Sequence, residues 1–449
     1  MGRKQLIAQE LVNDFLSVHP ALDFWDGMGI VAVGSKWLMT YDDGRGNLDY
    51  EFTAKPVCVT SKGEKFPYSP KELAVRKLFH AGRLDIPQGR WCDDDIEDFC
   101  TNPQSMEFEE VYNLIREQIE HYMDFIDKRI YALLAIYIIY THFYPLFNMA
   151  PILQLWGEFR TGKSKILSLI EAMAFNPVNS SNITSSSIFR IVESRRSTIL
   201  LDESEDMTTD DRTKEIINIL LAGTGKSGEA VRQEKSADES YKTQTFKVFS
   251  PKVIANISGI QLSSLQSRII RITTIGAVDR KKENRDVDQE DAKWKHIRGQ
   301  LYRLLLSKHK AVIQSRDNLP DSLFTGRTLG IWKGLFAIAN LCNEEVYGQM
   351  IDFAEENKAF IEAETEDDVD KPRKIIKLLI IFVKENEDKG WYTPGELFNY
   401  FKNKLASPRP TSIAMGMMLG KLGFHSRTLS EKRFYHITLE QLQSMQSRR

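Results

Sequence analysis

The chain has 449 residues, enough for two to four domains with a substantial core. Its charge is nearly balanced, with 60 Lys and Arg against 62 Asp and Glu, so any nucleic-acid surface has to be local rather than global. The cysteines, Cys58, Cys92, Cys100 and Cys342, stand at unrelated spacings, which excludes a disulfide-framed scaffold and fits a reducing cytoplasm.

The opening MGRKQLIAQELVNDFL has charged residues where a secretory signal needs an apolar run, and Leu6 where a myristoylation motif needs Ser or Thr. Residues 1–105 read as a separate small α+β domain. A short helix over Gln5–Leu16 precedes alternating stretches at Ile30–Val33, Trp37–Tyr41, Leu48–Phe52 and Val57–Thr60, and DDGRGN at 42–47 is a hairpin turn signal. The acids Asp42-Asp43 and Asp93-Asp94-Asp95 lack the flanks of a catalytic metal site and read as acidic loops. Cys58, His80, Cys92 and Cys100 contain no C-x2-C pair and make a poor zinc site.

Residues 106–148 read as two helices leading into a nucleotide-binding domain. The second contains the run Ile130–Phe147, free of Asp, Glu, Lys and Arg and close to the length of a membrane span. Four tyrosines, His142 and Pro145 interrupt it, so the expectation is a buried helix against a sheet, with no membrane involved.

The most specific stretch follows. Gly157-Glu158-Phe159-Arg160-Thr161-Gly162-Lys163-Ser164 fits G-x-x-x-x-G-K-S/T, the loop that wraps nucleotide phosphates. An apolar run at Ile152–Trp156 precedes it as a buried strand would, and Ile166, Leu167, Leu169, Ile170 and Met173 follow at helical spacing. Glycines let successive N–H groups converge on phosphate oxygens, and the following helix offers its positive end. Lys163 is expected on the β- and γ-phosphates of ATP, and Ser164 on Mg2+. A second Gly225-Lys226-Ser227 is a decoy, because its first glycine would fall on Leu220.

Thirty-eight residues after Ser164 comes Asp202, which with Glu203 ends the apolar strand that begins at Ser197. Asp202 suits Mg2+ and Glu203 suits the attacking water, a pairing that favours hydrolysis over binding alone. A further strand, Pro251–Asn256, ends in an amide that is positioned to bond the γ-phosphate or the water. LQSRIIR (265–271) carries two arginines, Arg268 and Arg271, and a guanidinium from this segment is a candidate to reach the γ-phosphate of a neighbouring subunit. The alternation of strand and helix from 150 to 275 predicts a parallel sheet with helices on both faces.

Residues 291–361 read as helical, and Glu362–Asp370, with six acids and no base, as a solvated linker. From 371 to 449 there are 15 Lys and Arg against 6 Asp and Glu. That basic tail reads as a winged helix: helices over Ile375–Lys384, Pro394–Lys404 and Thr411–Leu422, then a two-stranded wing at Phe424–Thr438. The third helix would lie in the major groove, and Arg427, Lys432 and Arg433 on the wing would touch phosphate. The same shape also serves as a protein-docking module.

GEFRTGKS, TILLDE, VIAN and LQSRIIRI, in this order and spacing, resemble the AAA+ ATPase core. The segments ILLAGTGKSGEAVRQ and TFKVFSPKVIANISGIQLSSLQSRIIRIT narrow the likeness to the MCM-like replicative helicases carried by phages, plasmids and mobile islands. GRTLGIWKGLFAIANLC (326–342) resembles that group's helical lid, with Arg327 at the place of its lid arginine. The resemblance covers roughly 125–449, and residues 1–105 lie outside it. It implies an α/β P-loop core over 106–290, a lid over 291–361, and a ring, hexameric in that group, with ATP and Mg2+ at subunit junctions.

Lys163, Ser164, Asp202, Glu203 and Asn256 would then act in one subunit, and Arg268 and Arg327 would reach in from the next. It also implies a hairpin that tracks single-stranded DNA in the pore. Glu229–Val248 alternates suitably, with Lys235 near the tip and Arg232 and Lys242 beside it. Asp238 and Glu239 stand close behind Lys235 and oppose a phosphate contact. A primase or loader is a further partner class. The alternatives are an ATP-regulated DNA-binding initiator that does not unwind, and a protein remodeller, for which Tyr241 is the aromatic nearest the tip.

Overall fold

The computed structural model describes residues 14–42, 48–180, 183–202, 211–235, 241–256, 263–274, 279–320, 324–386, 388–401, 415–416, 419, 424, 426–429 and 432–447. The chain divides into two compact units, one ending at Lys358 and one beginning at Ala359.

In chain order the first unit opens with strands β1 (Leu16–Ser17), β2 (Leu22–Trp25), β3 (Met28–Asp42), β4 (Leu48–Thr60) and β5 (Lys65–Pro67). Helix α1 (Pro70–Val75), strand β6 (Leu78–Phe79) and helix α2 (Asp93–Thr101) follow. Strands β2 to β5 make an antiparallel sheet in sequence order, with β3 and β4 paired from Ile30↔Thr60 to Asp42↔Leu48. The four short stretches expected here are thus two long strands; the expected helix over Gln5–Leu16 lies outside the described residues, apart from its end, where Leu16 is in β1.

This region shares its core with the rest of the unit. Val31, Val33, Val57 and Val59 point into the main core, while Ile30, Ala32 and Cys58 point into a smaller one with Leu73, Leu78 and Ile86. Because side chains alternate along a strand, the runs IVAV and VCV are apolar on both faces and need cover on both. Trp91 stacks on Tyr302 with ring centroids 5.2 Å apart, and Asp95 accepts from the Arg303 guanidinium at 2.6 Å. Residues 14–105 therefore belong to the same compact unit as the phosphate loop, where a separate domain was expected. The Asp93–Asp95 acids open α2, and among the described residues no group of three His, Cys, Asp or Glu side chains could hold a metal.

Helices α3 (Phe108–Tyr122) and α4 (Arg129–Phe143) come next. In α4 every residue from Ile130 to Phe143 is buried. Its tyrosines explain why this is core and not lipid-facing surface. The Tyr137 hydroxyl donates to the Lys252 carbonyl at 2.8 Å and accepts from the Lys252 amide at 3.1 Å, and the Tyr140 hydroxyl donates to the Met149 carbonyl at 2.9 Å. Burial pulls His142 down to about 3, so it stays neutral. Among the described residues no helix is long and apolar enough to cross a membrane.

The central sheet is built from β7 (Ile152–Trp156), β8 (Val178–Ser180), β9 (Ile199–Leu201), β12 (Lys252–Asn256) and β13 (Ile269–Thr273). Its order is β13-β7-β12-β9-β8, and every pairing is parallel. Interspersed are helices α5 (Lys163–Met173), α6 (Ser185–Arg195) and α7 (Asp211–Ala222), the antiparallel hairpin β10 (Glu229–Lys235) and β11 (Tyr241–Lys247), and the short α8 (Ser263–Gln266). Leu153, Leu155, Val253, Ala255, Ile270 and Ile272 face the main core, whereas Ile152, Ile254 and Ile269 face a second one. The sheet is therefore covered on both sides, as a parallel sheet requires.

Helices α9 (Arg280–Glu283), α10 (Ala292–Asp317), α11 (Gly326–Cys342) and α12 (Glu344–Glu385) follow. The stretch expected to be an acidic linker, 362–370, is helical backbone within α12, and Ile375–Lys384 continues it and does not start a new helix. Glutamate is a good helix former, and no glycine interrupts 349–389, so the acidic composition did not stop the helix. The second unit also has β14 (Trp391–Tyr392), α13 (Pro394–Phe401), β15 (Ser426–Leu429), β16 (Lys432–His436) and a last helix over Leu439–Ser447. Its strands form a small antiparallel sheet in the order β14-β16-β15. Of the expected third helix only Met415, Gly416 and Leu419 are described, and the Tyr435 hydroxyl donates to the Gly416 carbonyl at 2.7 Å.

Candidate nucleotide site

The phosphate loop joins the end of β7 to the start of α5. Gly157 is required by close approach: a Cβ there would stand 2.3 Å from the Thr274 hydroxyl and 2.4 Å from its carbonyl oxygen. Gly162 caps α5 with φ +90, a left-handed conformation that costs glycine little. Lys163 lies over its own loop, and its ammonium donates to the Gly157 carbonyl at 2.6 Å and the Glu158 carbonyl at 2.8 Å. Glu158, Phe159, Arg160 and Ser164 are exposed, and the Thr161 and Thr274 hydroxyls, 2.8 Å apart, tie the loop to the end of β13.

Strand register gathers the other groups at the same edge. Asn256 pairs with Trp156, and Leu201 with Ile254, so Asp202 follows one step further on, half-buried, beside the end of β12. Asn256 is 1% exposed and its Oδ1 accepts from the Gln154 amide at 3.0 Å. Gln154 in turn accepts from the Arg271 guanidinium at 2.8 Å, and Arg271 lies 5.4 Å from the centre of the Trp156 ring. The sequence marks Arg271 only as one of the two arginines of LQSRIIR and does not mark Gln154, for which a polar residue amid the apolar run ILQLW was the available signal. Glu203 lies outside the described residues.

Arg268 is at the other end of the sheet. Its carbonyl accepts from the Ile152 amide at 3.0 Å, at the start of β7, and the strand between there and Trp156 spans about 13 Å. Its guanidinium donates to the Ser264 carbonyl. Arg327, at the start of α11, donates to the Ser267 hydroxyl at 2.8 Å. Burial lowers the Arg268 pKa, and the neighbouring Arg327 charge lowers it further. The fold thus brings these two arginines together, and both are distant from the loop of their own chain.

The hairpin has the expected antiparallel pairing, from Glu229↔Lys247 to Lys235↔Tyr241, and the residues between that last pair lie outside the described ones. Arg232 sits in the strand away from the tip. It pairs with Glu215 at 2.6 Å and lies 5.2 Å from the Phe189 ring centre. Lys242 is exposed opposite Glu234. The decoy Lys226 is exposed, and its ammonium donates to the Pro145 carbonyl at 2.7 Å. In the second unit Arg427 stacks over Trp391 at 3.8 Å, Arg433 donates to the Ser426 hydroxyl at 3.1 Å, and Lys432 is exposed.

No protein-family model matches this chain, and no curated protein matches it. Among solved structures, the apo A form of the NrS-1 C-terminal region is similar over 86% of this chain and 94% of its own, at 11% identity and a TM-score of 0.38. The ORC2 protein of Aeropyrum pernix, solved as ADPNP and ADP complexes, covers 72% and 94% at 13% identity and 0.23. A JCV helicase with a bound acetamide compound covers 62% and 77% at 12% identity and 0.22. Scores this low do not establish a shared fold.

Proposed function

We propose that this chain is an ATP-driven DNA helicase or translocase of replication that acts as a ring of identical subunits, with six as the expected number. The observation that carries the reading is the position of Arg268 and Arg327 at the opposite end of the sheet from Lys163. A guanidinium that far from its own loop can serve a γ-phosphate only across a junction between subunits, and the phosphate loop then takes its arginine from the next copy.

Within one subunit the groups divide the work. The loop amides and Lys163 bind the phosphates once the ammonium leaves its two carbonyls, and Asn256 donates to the γ-phosphate or the attacking water. Ser164, exposed at the start of α5, and Asp202 offer hard oxygen donors that fit Mg2+. Held there, the ion would supply positive charge that offsets the negative charge of the phosphates. Glu203 is the proposed base. The β10–β11 hairpin is the proposed contact with single-stranded DNA through Lys235. The second unit is proposed as a winged helix whose Arg427, Lys432 and Arg433 face duplex phosphates.

The test is ATPase rate with and without single-stranded DNA at low and moderate salt, beside Lys235→Ala, together with strand displacement. Stimulation by DNA that is lost in Lys235→Ala, with displacement by the parent, supports the motor. Turnover that is flat to DNA and displaces nothing overturns it and favours an ATP-regulated initiator.

A further inference from the structure

Three polar side chains occupy the interior of the parallel sheet, where apolar residues would pack at lower cost. Gln154, Asn256 and Arg271 are 0%, 1% and 5% exposed, on adjacent strands, and share the face that carries Ile152, Ile254 and Ile269. Buried polar groups are tolerated when their hydrogen bonds are made, and these are made in series: Arg271 Nε to Gln154 Oε1 at 2.8 Å, then Gln154 Nε2 to Asn256 Oδ1 at 3.0 Å.

The series has a direction. A guanidinium only donates, so it turns the oxygen of Gln154 toward β13 and its NH2 toward β12. An NH2 also only donates, so Asn256 has to present its oxygen to Gln154. The amide nitrogen of Asn256 is then the group left for the end of the strand, where the phosphate loop begins. Without the series, either end of the Asn256 amide could face the nucleotide, and one of the two would set an oxygen lone pair against a phosphate oxygen.

We propose that Arg271 and Gln154 are positioning residues that lock the Asn256 amide with its NH2 toward the γ-phosphate and attacking water, an inference that rests on the ATPase reading above. No group outside the chain is needed to set the direction. The fixed positive charge of Arg271 sets it from two strands away.

The decisive variant is Gln154→Glu. It keeps the shape and the acceptor for Arg271 but removes the donor to Asn256 Oδ1, so the Asn256 amide should reverse. The expected result is a fall in kcat of roughly 10²-fold with KM for ATP and the melting temperature unchanged, the pattern of a donor lost in the transition state alone. Combining it with Asn256→Ala should cost nothing beyond Asn256→Ala itself, since both remove the same donor. Gln154→Met, which has similar length and no hydrogen bonds, should also lower kcat, and it decides the matter if Gln154→Glu does not fold. Wild-type kcat in the folded variant, or losses that multiply in the double variant, would overturn the relay. Wild-type turnover no greater than that of Lys163→Ala would instead overturn the ATPase reading, and the relay with it.

Discussion

The two ends of the central sheet differ in how they are made. At the end where β7, β9 and β12 finish, the working groups are close in sequence to the strands that deliver them: Gly157 follows Trp156 directly, Asp202 follows Leu201, and Asn256 is the last residue of β12. At the other end Arg268 and Arg327 arrive from two elements far apart in the chain, the α8–β13 junction and the first turn of α11. Lys252 is buried at that end too, and its ammonium donates to the Gly223 and Ser250 carbonyls at 2.7 and 2.6 Å. On the proposed reading one end would take phosphate and the other would offer Arg268 and Arg327, so that a subunit would hold two unlike halves of a site on opposite edges.

Removing the phosphate end should have the largest effect. Lys163→Ala is expected to bring ATP turnover to background, as measured by phosphate release, while the chain still folds; residual turnover near the wild-type rate would break the assignment of that edge. Arg268→Ala is expected to lower kcat by about 10³-fold while nucleotide binding persists. Because the two defects lie on opposite edges, mixing Arg268→Ala with Lys163→Ala subunits should restore part of the activity. Mixtures that never exceed their separate components would show that the arginine does not act across a junction.

The smallest effect sharpens the contrast through pH. Burial lowers the Lys252 ammonium from 10.5 to about 7. Between those values the unfolded chain holds a proton that the folded chain does not, so stability rises with pH from about 7 to about 10.5, and the full penalty applies below about 7. The slope from this one group is at most about 1.4 kcal/mol per pH unit. Lys252→Met should remove it. Denaturant melts of both proteins at several pH values in that window would measure the difference, and parallel curves would mean that Lys252 keeps its charge when buried.

The strand, loop and helix over 152–173, the strand before Asp202, the strand ending in Asn256, the hairpin and the buried character of α4 were all legible in the sequence. Each depends on short-range pattern: glycine spacing, an apolar run ended by a polar residue, alternation, or tyrosines amid aliphatics. Three further features required the tertiary structure. Residues 14–105 joined the main unit because Val31 and Val57 need a cover on the face opposite Ile30 and Cys58, and periodicity along one strand does not say what provides it. The acidic stretch 362–370 stayed helical because charge composition does not by itself end a helix that lacks a glycine or cap. The link from Arg271 through Gln154 to Asn256 joins residues more than a hundred positions apart, and only the parallel register that places β7 between β12 and β13 brings them within hydrogen-bond distance. Local chemistry is written in neighbouring residues, whereas contacts between strands depend on the order in which the sheet assembles.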